Sequence, residues 1–242
     1  MRPLTAAEII QLWETSCCLH PIDQALSMLR VVLPHQGRDE LAALPLGRRD
    51  IFLLALRRIT FGDALPAQCR CPGCGETVEF ELSCSDLERE AVEAKEQMIS
   101  RDGYTMHIRP LNSFDLAAAA EENALKRARE ILIQRCASNI RYQGRLIGIA
   151  NLPQEIADTL AQSALEADPQ AEKLLELDCP SCCHQWLAML DIGHILWLEV
   201  SARAQRLLRE VHLLAQAYGW HEQEIMNLTP VRRAAYVQMV TA

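Results

Sequence analysis

Two short cysteine turns, Cys71-Pro72-Gly73-Cys74-Gly75 and Cys179-Pro180-Ser181-Cys182-Cys183, constrain this chain more than any other feature. In each, proline fixes φ and a small residue lets the backbone curl, which brings two thiolates onto one tight turn. Two such turns facing each other make a closed cage of four sulfurs, the donor set of a structural zinc site. Cys74 and Cys179 are separated by the 104 residues from 75 to 178. One ion held by Cys71, Cys74, Cys179 and Cys182 would tie the middle of the chain to its C-terminal third.

The segments that follow the turns support their pairing. At a constant offset of 108 residues, 71 to 179, Val78 aligns with Trp186, Phe80 with Ala188 and Leu82 with Leu190. The first segment alternates apolar and polar residues as a half-buried strand does, and the second is apolar on both faces at several positions. Each turn reads as a knuckle leading into a strand, so the pair is a split, duplicated zinc ribbon with a long insertion. Four thiolates leave no open coordination position for catalysis. Neither C-x-x-C lies in the βαβ setting of a redox dithiol. Iron is held by similar knuckles and stays an alternative to zinc for the single ion. Cys69, Cys183 and His184 flank the knuckles and can replace a ligand. Cys17, Cys18, Cys84 and Cys136 have apolar neighbours and are expected as small core residues.

Ten cysteines in 242 residues would suit a disulfide scaffold only in a much shorter secreted chain. Met1 to Thr5 carry no apolar leader and run straight into a capped helix, so a reducing cytoplasm is the expectation. No apolar run approaches membrane-spanning length. A net charge of −8 and 5% aromatic residues argue against a phosphate-backbone binder and against a base-stacking platform.

Helical signals dominate the rest. Thr5-Ala6-Ala7-Glu8 is a capping box that opens a helix toward Cys18. A second helix covers about Ile22 to Val32, and His35 to Pro45 reads as a loop. A third spans Gly47 to Thr60, with Ile51, Leu54, Ala55 and Ile59 on its apolar face and Phe61-Gly62 closing it. Tyr104 to Arg109 alternates as a strand. Ser113 or Asp115 then caps an alanine-rich helix to about Ala137. Ser138 to Ala150 suits a short hairpin around Gly144, and Leu152-Pro153 opens a helix to about Ala167. Trp197, Val200, Ala204, Leu207, Val211, Leu214 and Tyr218 repeat at 3-4 spacing on one long helix, stopped by Gly219. Glu222 to Leu228 is a short helix, and Thr229-Pro230 starts the last. The heptad seam serves an internal core or a docking face. Arg48-Arg49, Arg57-Arg58 and Arg232-Arg233 read as solvated charge. No phosphate-binding loop, dinucleotide fingerprint, metalloprotease helix or nucleophile elbow occurs, and the expectation is a non-enzyme.

The expected fold is α+β, mainly α: a helical domain around the split CPxC ribbon. Its divisions are an N-terminal helical region (1–66), the first ribbon half (67–90), a strand and helical insertion (91–174), the second ribbon half (175–193) and the C-terminal helices (194–242).

Leu46-Gly47-Arg48-Arg49-Asp50-Ile51-Phe52-Leu53-Leu54 and Thr60-Phe61-Gly62 precede the first knuckle. Leu207 to Ala215 continues into Tyr218-Gly219-Trp220, Glu224-Ile225, Leu228, Arg232-Arg233 and Tyr236. With the cysteine pairs, these segments resemble the T4-type phage baseplate protein family, described as baseplate hub assembly chaperones and found also in contractile injection systems. The likeness spans about residues 40 to 240. Cys183 departs from it, standing where a knuckle glycine is expected, which strains the turn or changes the ligand set. His221 stands where serine would cap better. The resemblance implies a non-enzymatic role in tail assembly, in the bacterial host cytoplasm or in the finished virion or injection particle. Trp197, Leu207, Val211, Leu214, Tyr218, Trp220 and Tyr236 would offer a ridge or groove to a baseplate hub or tape-measure-like protein, with no nucleic acid or membrane involved. The alternatives are a structural component retained in the baseplate, and a zinc-ribbon nucleic-acid-binding or transcription factor. Glu76, Glu79 and Glu81 beside the first knuckle carry the wrong sign for the latter.

Overall fold

In the computed structural model, which describes residues 1–89, 92–149 and 152–241, the chain is α+β. Thr5 caps α1 (Ala6–Ser16) through the expected box with Glu8, and α2 (Pro21–Val32) follows after a short turn. The stretch expected as a loop contains a further short helix, α3 (Arg38–Ala42). Its five residues are mostly polar, which hides it. Glu40 accepts from the Gly37 N–H at 2.9 Å, and Leu41 and Ala42 are buried.

α4 (Leu46–Phe61) closes at Gly62, whose φ is 106°. Its inward face is Leu46, Leu53, Leu54, Leu56 and Arg57; of the expected Ile51, Leu54, Ala55 and Ile59 only Leu54 is buried there. An arginine occupies the interior there, and Ile59 is 37% exposed. The Arg57 guanidinium donates to both Glu199 carboxylate oxygens, at 3.0 and 2.7 Å, and to the carbonyls of Gly62 and Ala64. This pairing joins α4 to α9 (Ile192–Tyr218), the long helix packed against α1, α2 and α4. Leu12, Leu26, Met28, Leu29, Leu53, Leu56, Leu196 and Val200 fill this helical core. α10 (Glu222–Met226) and α11 (Pro230–Thr241) fold back onto the far end of α9.

The solvated reading of the arginine pairs is thus corrected for one member of each: Arg49, Arg57 and Arg233 are buried, whereas Arg48 and Arg232 are exposed as expected. Arg233 donates to Glu210 at 2.7 Å and Arg49 to Asp50 at 2.7 Å. A buried guanidinium is tolerated only with such partners.

Between the knuckles lies a second unit. Strands β3 (Gln97–Arg101), β4 (Tyr104–Ile108), β5 (Ala137–Tyr142) and β6 (Arg145–Leu146) form an antiparallel sheet in that order. β3 carries little sequence signal, because its Gln97-Met98-Ile99-Ser100 stretch alternates only weakly. Helices α7 (Leu125–Cys136) and α8 (Gln154–Ala167) contribute Ile133, Ile156, Leu160 and Ala164 to a core with Met106, Ile108 and Ile140. The expected hairpin around Gly144 is β5–β6, and its end at Ala150 lies outside the described residues, as does the division between 90 and 91.

The single alanine-rich helix is two, α6 (Ser113–Ala120) and α7. Glu121 and Glu122 sit at the negative end of α6, where their charge opposes the helix dipole. Asn112, not Ser113 or Asp115, is the cap. Asp115 instead accepts from the Asn112 N–H at 3.0 Å and from Arg109 and Arg135, each at 2.7 Å.

The sheet unit is fixed to the helical body where α4 begins. Leu46 N–H donates to the Leu111 carbonyl at 2.9 Å, and Gly47 N–H to Asp168 at 2.8 Å. A Cβ at Gly47 would lie 2.2 Å from Asp168 Oδ1 and 2.5 Å from Gln170 Cβ.

Candidate metal centre

Each cysteine turn is the tip of an antiparallel hairpin. β1 (Ala64–Arg70) pairs with β2 (Thr77–Ser83), which leads into the short helix α5 (Cys84–Arg89), and β7 (Leu174–Asp178) pairs with β8 (Gln185–Met189). The expected strands after the knuckles are β2 and β8, and each knuckle is also preceded by one. Register repeats at the same offset of 108 residues read from the sequence: Cys69 faces Val78 in the first hairpin, and Leu177 faces Trp186 in the second.

The turns themselves repeat bond for bond. Cys71 N–H donates to the Glu76 carbonyl at 2.8 Å, and Cys179 N–H to that of His184 at 2.9 Å. Gly75 N–H returns to the Cys71 carbonyl, and Cys183 N–H to that of Cys179, both at 2.9 Å. Gly75 has φ 78° and Cys183 has φ 57°. The turn needs a left-handed residue here, a conformation that glycine adopts freely and cysteine at a cost. Cys183 therefore keeps the turn's geometry and carries its strain.

The two tips meet. Sγ of Cys71 lies 3.6 Å from that of Cys182, and Sγ of Cys74 lies 3.6 Å from that of Cys179. All four sulfurs fall within 4.8 Å of one another and could hold a metal ion. A tetrahedron with metal–sulfur bonds of about 2.3 Å has edges of about 3.8 Å, which these separations accommodate. Gly73 sits so close to the opposite tip that a Cβ would lie 3.2 Å from His184.

Charge makes the same point. Burial pushes the Cys179 thiol up, but the N–H groups of Cys182 and Ser181, then the neighbouring thiols, bring it down to about 7. The His184 N–H favours the Cys182 thiolate, yet the thiols around it and burial drive it up to about 12. Four thiolates this close repel one another, and only a cation among them allows all to ionise.

Cys71 and Cys179 are 2% exposed, whereas Cys74 and Cys182 lie at the surface. Behind the sulfurs the small cluster of Val78, Phe80 and Trp186 is the apolar support of the tips. Two-stranded hairpins with so little core are marginal alone. Their bases are better anchored, through Leu65, Leu82 and Leu190 in the helical core.

Cys84 and Cys136 are buried as expected, and burial pushes the Cys136 thiol up to about 11. Cys17 and Cys18 are not core residues: both are exposed, just past the end of α1, with sulfurs 3.7 Å apart. Cys69 is half-buried on β1, and Cys183 is exposed.

The seven residues read as a partner face divide into two sets. Trp197, Leu207 and Leu214 are buried on α9, with Val211 half-buried. Tyr218, Trp220 and Tyr236 form a separate aromatic cluster, with ring centroids 4.7, 4.9 and 5.8 Å apart. The Arg232 guanidinium lies 5.6 Å from the Tyr236 ring. The second ribbon segment is apolar on both faces in the sequence, and the structure shows the outer one: Leu174, Leu187 and Met189 are 47, 59 and 66% exposed on the second hairpin. Their signal was present: at the offset of 108, glutamates occupy the positions matching Leu187 and Met189.

Among the described residues no helix is long and apolar enough to cross a membrane. The family model described as T4 bacteriophage base plate protein matches residues 2–197. Neither a curated protein nor a solved structure matches the chain.

Proposed function

Because the chain belongs to the T4 bacteriophage base plate protein family, we propose that it is a non-enzymatic assembly chaperone for the baseplate hub of a contractile tail or related injection particle. The observation that carries this reading is the family match over residues 2–197, both knuckles included. In this role the four-cysteine cluster holds one zinc ion as a structural clasp. Cys71, Cys74, Cys179 and Cys182 would be its ligands, and a closed set of four thiolates supplies rigidity, not an activated water. The partner would be a hub or tape-measure-like tail protein, met in the host cytoplasm while the particle assembles.

A net charge of −8 and the exposed Glu76, Glu79 and Glu81 on the first hairpin speak against the nucleic-acid reading. A chaperone and a retained component both need exposed apolar surface, so abundance separates them. Quantitative mass spectrometry of purified particles against the assembling lysate is the test. A chaperone is abundant in the lysate and missing from particles. A fixed copy number per particle would make the chain a structural component, and presence in neither would remove the baseplate role.

A further inference from the structure

The two knuckle hairpins share one backbone plan, so each is a built-in comparison for the other. Their outward faces are chemically opposite. On the first hairpin Pro66 faces Glu81 and Gln68 faces Glu79, and these four residues are exposed. That face is an ordinary solvated one. On the second, the same positions carry Leu174 facing Met189 and Glu176 facing Leu187, all again exposed. The first hairpin shows that this backbone accepts glutamate where the second has Leu187 and Met189. The fold therefore does not explain why those two side chains are apolar, and contiguous exposed apolar surface marks a contact site.

The rim of the patch specifies the contact. Glu172, Glu176 and Asp178 stand on and beside β7, with Asp191 just past β8. Across residues 172–191 Lys173 is the one lysine or arginine, and its Nζ donates to the Leu87 carbonyl at 2.9 Å. A second copy of the chain would bring acidic rim against acidic rim, as would an anionic lipid surface. A helix with an apolar stripe flanked by lysine or arginine satisfies both the patch and its rim.

We propose that the outward face of β7–β8 docks a basic amphipathic helix of a partner protein. The inference rests on the assembly role for its biological setting and not for its geometry. The probe is a synthetic helical peptide of leucine and lysine with one apolar face, compared with a leucine–glutamate peptide of the same stripe. Binding is followed by amide chemical shifts on the full-length, metal-loaded protein. The lysine peptide should saturate, perturb residues 174–189, and lose affinity at least about tenfold in Leu187→Glu/Met189→Glu. That variant copies the first hairpin's own residues, so its metal content should stay unchanged. Its added negative charge would strengthen a purely electrostatic association, so the loss reports on apolar contact.

Shifts that map elsewhere on the wild-type protein would overturn the proposal without reference to any variant. So would equal binding of the leucine–glutamate peptide, or equal binding by the double variant. A concentration-dependent dimer abolished by the double variant would assign the face to a second copy. The peptide result does not depend on whether the chain is found in lysate or particle, so the two readings fail separately.

Discussion

At Asp115 a fully buried carboxylate is shared by Arg109 and Arg135 and by the backbone at the start of α6. Burial pushes this carboxyl up, but the two guanidinium groups outweigh it and hold it below the ordinary aspartate value. Its stabilising contribution is complete above the unfolded value of about 3.9 and is lost as pH falls through the depressed folded one. Asp115→Asn should cost about 2 kcal/mol at neutral pH and flatten the acid limb of a melting-temperature profile. An unchanged acid limb would place the acid-labile contact elsewhere. Gly47→Ala is expected to destabilise by about 2 kcal/mol in denaturant titration, because its Cβ would meet Asp168 and Gln170. These contacts are the least legible part of the sequence. Nothing local to Arg57-Arg58 says which guanidinium turns inward. Glu199, 142 positions away, decides it. The periodicity of α4 therefore points to Ile59 for the core and leaves Arg57 outside.

Among the elements, the knuckle hairpins were the most legible. Two C-P-x-C turns and a constant offset mark the strands after the turns, the equivalent positions of the two halves and the four clustered cysteines, because turn geometry is set by a few adjacent residues; β1, β7 and the facing pairs come only with the structure. α3, β3 and the break between α6 and α7 were not legible, since weakly alternating or polar stretches fold there only through contacts with the rest of the chain. Cys183 offers a test at this scale. Its φ of 57° is the glycine conformation, so Cys183→Gly should stabilise by about 1 kcal/mol with metal content unchanged. Loss of metal in that variant would make Cys183 a ligand. Cys71→Ser and Cys179→Ser should each lose the ion and destabilise on the order of several kcal/mol. Hydrogen exchange should then rise first at the hairpin tips, where Val78, Phe80 and Trp186 supply little core. Metal retained in both serine variants would contradict the ligand set.

For the molecule as a whole, the four-cysteine cluster brings together segments more than a hundred residues apart, on either side of the inserted sheet unit. Arg57–Glu199 and Asp168–Gly47 tie the same regions by other routes. Removing the ion should therefore loosen the tips and leave the helical body of α1, α2, α4 and α9 folded, with its circular dichroism largely kept. The baseplate role fits a rigid platform that presents surface to a neighbour, and its support lies in the family match and not in any fold feature. The most direct measurement is the metal content of the chain purified without added metal, joined to X-ray absorption at the metal edge. The account predicts one zinc per chain with a shell of four sulfurs at about 2.3 Å. Protein that comes without metal and takes up none from added zinc, or a shell containing nitrogen or oxygen, would contradict it.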